Sequence, residues 1–299
     1  MKDIIEISVI IPFYYGNSYM TRLIGSVKRC EEFCKGKVKF EILIVNDSPD
    51  EKIHIPHEFE GMNIRIINNE QNVGIQRTRI NGLKYASGEW ILFLDQDDEL
   101  IDSGFLRQIS LADKNDVIVG NGLYQYGECE REIFGSYKEM KYLMQLSRFI
   151  QIRNLIPSPG ECLLKKNIIP KKWIETPLTN NGADDWLLWI LVLKSGARIG
   201  CNPELVYIHN DTNGKNLSSD LNRMNESVRE MYELLVDNNC LSKNEENELN
   251  NAIMFKYLQD TKKLGAWDLW KYRRTIINNI CCKLYSYLLC MHKWRKIVN

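Results

Sequence analysis

The sequence predicts an α/β fold: a doubly wound, mostly parallel sheet flanked by helices, with a helical extension at its C-terminal side. Three observations carry this. Short apolar runs alternate with segments of helical period along the first part of the chain. Trp90-Ile91-Leu92-Phe93-Leu94 is apolar with no polar alternation, as in a strand covered on both faces. From Leu221 onward the pattern is helical throughout.

Each element has its own reason. Glu6-Ile7-Ser8-Val9-Ile10-Ile11-Pro12 reads as a first strand, stopped by a proline that has no N–H to give to a ladder. Met20, Leu23, Ile24, Val27, Cys30 and Phe33 recur at helical spacing and predict a helix from Tyr19 to Phe33. Phe40 to Val45 is a second strand, ending at Asn46-Asp47-Ser48-Pro49, and Ile64 to Ile67 is a third. A helix is expected from about Ile75 to Ala86, with Ser87-Gly88 as its C-cap. The Trp90 strand follows and runs into Asp95-Gln96-Asp97-Asp98. Beyond Asp113 the pattern is less regular. A strand is expected over Asp116–Gly120, a helix over Lys138–Arg153 and a strand over Glu161–Leu164, before a turn at Asn167–Pro170. Gly182-Ala183-Asp184-Asp185-Trp186 then opens a buried helix, its aspartates suited to the positive end of the helix dipole. Crossovers between parallel strands should be right-handed.

With 299 residues the chain can bury a large core. It has 39 basic and 39 acidic residues, so bulk charge does not point to nucleic acid. The nine cysteines include no C-x-x-C pair and no histidine cluster beside them, which argues against zinc and for reduced thiols in a cytoplasmic setting. The opening Met1-Lys2-Asp3-Ile4 does not read as a secretory signal, and no apolar run is long enough for a membrane span.

The chemistry is expected at strand ends. Ligands of open α/β sheets bind outside the carboxyl ends of the strands. Pro12-Phe13-Tyr14, Asn46-Asp47-Ser48 and Asp95-Gln96-Asp97-Asp98 all stand at such ends. Three carboxylates within four residues repel one another unless a cation lies between them, and oxygen ligands suit Mg²⁺ or Mn²⁺. A solvated acidic turn is the competing reading, which this motif alone does not exclude.

Taken together and in order, the motifs resemble glycosyltransferase family 2, whose catalytic domain has the GT-A, Rossmann-like fold. The resemblance covers roughly the first 210 residues. Ser8–Tyr14 is similar to the family's opening strand, Ile44–Ser48 to its strand ending in aspartate, and Asn72–Leu83 to its asparagine-glycine loop and helix. Leu94–Asp98 matches its D-x-D signature, and Ala183-Asp184-Asp185-Trp186 its acidic pair before tryptophan. Two departures stand out: Asn46-Asp47 where two aspartates are frequent, and Arg79-Ile80 where Arg-Asn is frequent.

The resemblance implies roles. Asp47 would accept from the base, usually uracil, in a pocket lined by Pro12 and Tyr14. Arg79 would sit near the base or diphosphate. Asp95 and Gln96 would lie on the nucleotide-sugar side. Asp97 would ligate the metal, with Asp95 and His209 beside it and Asp98 the least defined of the cluster. Asp185, or alternatively Asp184, would be the catalytic base. It also implies residues 1–215 as a catalytic domain, divided into a nucleotide-binding half (1–112) and an acceptor-binding half (113–215), with 216–299 as a helical extension. The function implied is an inverting, metal-dependent transfer from a UDP-sugar to a hydroxyl of a glycan or lipid-linked saccharide, as in bacterial surface-polysaccharide assembly.

Other readings of the same residues remain. Aspartates at a helix N-terminus also serve as caps. A lone histidine in a polar loop usually has no special role, Arg77 reads as a solvated helix residue, and Lys165, Lys166, Lys171 and Lys172 read as a solvated basic face. A sugar nucleotidyltransferase-like enzyme would show a glycine-rich triphosphate loop near the first strand, which Pro12–Asn17 does not supply. A non-catalytic nucleotide-binding partner subunit would be expected to lose Asp97 or Asp185, and both are present. Finally, Trp267, Trp270, Tyr272, Ile276, Ile277, Ile280, Leu284, Tyr287, Leu288, Met291 and Trp294 recur at helical intervals among basic residues. That pattern fits either docking at the inner face of the cell membrane or packing on the catalytic domain or a second subunit.

Overall fold

The computed structural model describes residues 4–127, 129–210, 220–289 and 295–296. The N-terminal half contains β1 (Ile5–Phe13), α1 (Met20–Phe33), β2 (Val38–Asn46), β3 (Ile64–Asn68), α2 (Ile75–Tyr85), β4 (Trp90–Phe93), β5 (Glu99–Leu100) and α3 (Phe105–Ser110). Then come β6 (Val117–Tyr126), β7 (Cys129–Glu132), α4 (Tyr137–Leu143), α5 (Leu146–Gln151), β8 (Cys162–Lys165), α6 (Lys171–Glu175), α7 (Asp184–Lys194) and β9 (Ile199–Asn210). The C-terminal part is α8 (Leu221–Asp237), α9 (Lys243–Asp260), α10 (Ala266–Lys271), α11 (Arg273–Leu289) and the two-residue β10 (Arg295–Lys296).

The strand order is β3-β2-β1-β4-β8-β6-β7-β10, with β9 pairing β6 and β5. β3, β2, β1 and β4 are mutually parallel, as expected, while β8 enters antiparallel between β4 and β6 and makes the second half mixed. The parallel half explains its unalternating strands. Ile7, Val9, Ile11 and Phe13 of β1 pack with α1 residues Leu23, Ile24 and Val27. Ile10 of the same strand packs on the other side with Leu43, Phe93 and α2 residues Ile80 and Leu83. Both faces are buried, so both must be apolar.

Several local expectations change. Pro12 does not stop β1, which continues to Phe13. Successive residues alternate sides, so Pro12 faces the β4 edge like Ile10, whose carbonyl accepts from Leu94 N. β4 has already ended there, and no ladder bond is lost. Gly88 is not the C-cap of α2: the helix ends at Tyr85, and its C-cap is Ala86, in an extended conformation. A Cβ on Gly88 would lie 2.7 Å from Ser8 N, so this glycine allows the chain to approach β1 closely. The helix expected over Lys138–Arg153 breaks at Met144-Gln145 into α4 and α5, which bury Met140 and Leu143, and Phe149 and Ile150, respectively. The strand expected to end at Gly120 runs to Tyr126, and β9 was not foreseen as a strand. Its Pro203 and polar residues hide the period of two; they lie where the β6–β9 register shifts at Asn121, a place where bulges accommodate them.

The C-terminal helices do not stand apart from the sheet. Met231, Leu235, Leu241 and Leu249 of the α8–α9 region join Trp186, Leu187 and Ile190 of α7 in one buried cluster. The boundary expected at 215/216 falls within 211–219, and Met291 and Trp294 of the expected amphipathic pattern also lie outside the described residues. Among the described residues, no helix is long and apolar enough to cross a membrane.

Candidate active site

The centre of the site is Arg79 on α2. Its guanidinium is 1% exposed and is met by carboxylates from two other elements. Nη2 donates to Asp95 Oδ1 at 2.6 Å, at the end of β4. Nη1 donates to Asp184 Oδ2 at 2.8 Å and Asp185 Oδ1 at 2.7 Å, at the start of α7. Phe93 lies under the group, 5.9 Å from ring centroid to guanidinium carbon. Arg79 was expected beside a base or diphosphate. In the structure it is buried and bridges the acidic strand end to the acidic helix start.

One cation cannot neutralise three carboxylates. Burial, opposed by Arg79 and reinforced by Asp184 and Asp95, raises the Asp185 carboxyl to about 8. Asp184 is also raised, again chiefly by burial. The two differ in access: the Asp184 side chain is 4% exposed and the Asp185 side chain 18%. Asp184 also uses its carbonyl to accept from Trp173 Nε1 at 2.9 Å. The α7 start depends on Gly182, at φ 136°, where a Cβ would come 2.4 Å from Met224 Sδ.

The other acidic residues divide the work. Asp98 is fully buried and accepts from Tyr207 Oη, from Asn210 N at 2.9 Å and from His209 Nδ1 at 3.3 Å. It anchors the end of β9 and orients the imidazole. His209 is therefore a strand residue and not the polar-loop residue of the competing reading. Burial disfavours its cation, but Asp98 outweighs that and raises it to about 9. Asp97 is pushed up to about 7 by burial and by the charges of Asp98 and Asp95. No other residue donates to its carboxylate among the described residues, although its backbone carbonyl accepts from Arg22 Nη2 and Asn210 Nδ2.

These donors fit a divalent cation held by few protein ligands. Asp97 and His209 feel one another's charge, and the imidazole Nδ1 faces the Asp98 carboxylate, as the far nitrogen of a metal-binding histidine commonly does. Among the described residues, no three His, Cys, Asp or Glu side chains form a complete metal cage. Sites completed by substrate phosphates and water need none.

The other expected residues line adjacent strand ends. Asp47, after β2, accepts from Asn69 Nδ2 at 2.8 Å, Val73 N at 2.8 Å and Gly74 N at 3.0 Å, and so fixes the asparagine-glycine loop. Gly74, at φ 86°, starts α2, and Asn181 Oδ1 accepts from the next amide, Ile75 N, at 3.2 Å. Pro12 is half-buried and Tyr14 exposed at the end of β1. Gln96 holds the Tyr14 backbone at both ends: its Oε1 accepts from Tyr14 N at 2.8 Å, and its Nε2 donates to Tyr14 O at 3.0 Å. Gln96, expected on the nucleotide-sugar side, orders with this amide the loop that carries Tyr14. A Cβ on Gly16 would come 2.1 Å from Gln96 Oε1. Both Gln96→Ala and Gly16→Ala should therefore free this loop. Each hydrogen bond is worth about 0.5–1.5 kcal/mol, so Gln96→Ala, which loses both, should speed protease cleavage within this loop by about tenfold, measured by limited proteolysis.

Sequence reasoning missed four contributors. Ser158 Oγ donates to Asp95 Oδ2 at 3.3 Å. Tyr207 holds Asp98, Asn69 holds Asp47, and Asn181 joins the α7 approach to α2. Only Tyr207 left a signal: two residues before His209, it shares that residue's face of a strand. Arg77 is exposed, as expected.

Comparisons with known proteins show the family and the fold. Residues 8–171 match the family model described as Glycosyl transferase family 2. An uncharacterized glycosyltransferase of Haemophilus influenzae is 22% identical over 90% of this chain and 92% of its own length. The UDP-Glc:α-D-GlcNAc-diphosphoundecaprenol β-1,3-glucosyltransferase WfgD of Escherichia coli is 31% identical over 40% of this chain, and that match spans 46% of the relative. Among solved structures, Staphylococcus aureus TarS 1–349 in complex with UDP-GlcNAc superposes with a TM-score of 0.60 at 20% identity, covering 83% of this chain and 70% of that one. A mannosyltransferase from Pyrobaculum calidifontis, in complex with GDP-Man and Mn²⁺, superposes at 0.55 with 11% identity, covering 95% of this chain and 76% of that one. The motif order, the mixed sheet and the family match lead to one conclusion: the chain belongs to glycosyltransferase family 2 and is a glycosyltransferase of GT-A fold.

Proposed function

We propose that this enzyme is an inverting, metal-dependent hexosyltransferase that moves a sugar from a UDP-sugar to a hydroxyl of a glycan or lipid-linked saccharide. The observation that carries the reading is Asp185, a carboxylate with a raised pKa and partial access, held by Arg79 against the acidic end of β4. In its ionised form it accepts the acceptor hydroxyl proton as that oxygen bonds to the anomeric carbon. The bond from the anomeric carbon to the diphosphate oxygen breaks, and UDP leaves with the electron pair. Attack from the face opposite the diphosphate inverts the configuration.

Asp97 and His209 are the residues that would hold Mn²⁺ or Mg²⁺, with Asp95 beside them. A bound divalent cation supplies charge stabilisation to the departing diphosphate. Asp98 and Tyr207 keep the imidazole oriented. Pro12, Tyr14 and the loop fixed by Asp47 form the base pocket. Residues 1–112 supply the nucleotide half and 113–215 the acceptor half. The donor and lipid-linked acceptor named for the Escherichia coli relative, and the UDP-GlcNAc bound by Staphylococcus aureus TarS, support this substrate class. The same acceptor class favours a cytoplasmic enzyme working at the inner face of the cell membrane.

The test is a panel of nucleotide sugars with purified protein and Mn²⁺, scored by nucleotide release. Release from at least one UDP-sugar, lost on chelation of the metal, is the expected result. Turnover confined to GDP- or CMP-sugars, or to nucleoside triphosphates, would overturn the reading.

A further inference from the structure

We infer that the outer face of α10–α11 is a docking surface for an anionic lipid bilayer. The sequence left membrane and protein packing as alternatives for one amphipathic helix. In the structure, α11 has two separate faces. Its inner face is already used. Tyr272, just before α11, and Thr275 and Cys282 of α11 are buried. Tyr272 lies 6.2 Å from Phe255 of α9, Tyr285 stacks on Tyr142 of α4 at 4.1 Å, and Asn278 Nδ2 donates to Gln151 Oε1 of α5 at 3.2 Å. The helix is thus fixed to the catalytic body.

The outer face remains apolar. Ile277, Leu284, Tyr287 and Leu288 recur along α11, and Trp267 and Trp270 stand on α10; each is more than half exposed. The tryptophan rings are 5.2 Å apart and edge-on. Exposed apolar side chains gathered on one face and rimmed by polar residues mark interaction sites.

Charge decides the occupant. Residues 266–299 contain seven of the chain's basic residues and one acidic residue, Asp268, whose carboxylate accepts from Gly265 N, although the chain as a whole is neutral. Lys271, Arg273, Arg274 and Lys283 are exposed around the stripe. A second copy meeting this face about a two-fold axis would set basic against basic. An anionic surface attracts it, and Trp and Tyr suit the headgroup level. α11 is too short and too polar to cross the bilayer, so it would lie in the interface. This inference rests on the surface and not on the donor or acceptor assignment.

The full chain is mixed with vesicles of phosphatidylcholine alone, or of phosphatidylcholine with phosphatidylglycerol, without nucleotide sugar, and pelleted. Selective pelleting with the anionic vesicles is expected. The variant Lys271→Gln/Arg273→Gln/Arg274→Gln should lower that partition about a hundredfold at low salt, on the usual contribution of each surface base. Trp267→Ser/Trp270→Ser should lower it as well. Circular dichroism and the thermal midpoint show that both variants remain folded. Equal pelleting with neutral vesicles, no pelleting at all, or insensitivity to these substitutions would overturn the inference. So would a concentration-dependent dimer in sedimentation velocity that is lost in Leu284→Ser while vesicles are not bound, because the face would then be a protein interface.

Discussion

Replacing Arg79 with methionine should lower the free energy of unfolding by about 3–5 kcal/mol, the usual effect of breaking a buried ion pair from one side. The shape of the side chain is nearly kept, but three carboxylates lose their common cation. Asp184 is almost completely buried and cannot recover its solvation from water. Arg79→Lys should fail nearly as badly. A single ammonium cannot reproduce the two terminal nitrogens that reach Asp95 on one side and Asp184 and Asp185 on the other. Adding Asp184→Asn to Arg79→Met should restore part of the loss, because it removes one of the stranded charges, and this non-additivity separates electrostatic coupling from simple cavity formation. Chemical denaturation of the wild type, Arg79→Met, Asp184→Asn and the double variant measures it. A loss under 1 kcal/mol for Arg79→Met would show that the cluster is not coupled through this residue.

Asp185→Asn should reduce transfer by about 10²–10⁴-fold, the usual contribution of a general base, while UDP binding is kept. The amide is isosteric and can still meet Arg79 Nη1 through its oxygen, so the fold should survive. Asp184→Asn should instead act mainly on stability, because that side chain is the more buried of the pair. The pH profile gives an independent readout. A base works only when ionised, and burial raises the Asp185 carboxyl to about 8. In the free enzyme, kcat/KM should therefore fall as pH drops below about 8, where an ordinary aspartate would keep it level down to about 4. Asp185→Asn should lose that limb. If Asp184→Asn were the inactive variant and Asp185→Asn the active one, the base would have to be reassigned.

The legibility of the site varied with the range of the interactions involved. The parallel half was readable because its strands are apolar on both faces, and its ends were marked by Pro12, Asp47 and the Asp95–Asp98 turn. β9 was not readable: its pairing with β6 shifts register at Asn121, and the strand carries Pro203 and Asn202 there. Its role in carrying Tyr207 and His209 to Asp98 was hidden with it. The break between α4 and α5 had no proline or glycine to announce it; the two halves bury different residues among different neighbours.

Order and spacing along the chain determined the family, the strand ends that hold the chemistry and the residue types available there. Tertiary structure decided what each of those residues faces. Arg79 is the buried bridge of three carboxylates, and Gln96 a clamp on the Tyr14 backbone. Asp98 became an anchor for His209, and Asp185 became distinguishable from Asp184 by access alone. The reason is physical. A motif specifies charge and hydrogen-bonding capacity, but partner and burial come from elements as far apart as Arg79 and Asp184, or Asp98 and Tyr207, which only the packed sheet and helices bring within hydrogen-bonding distance.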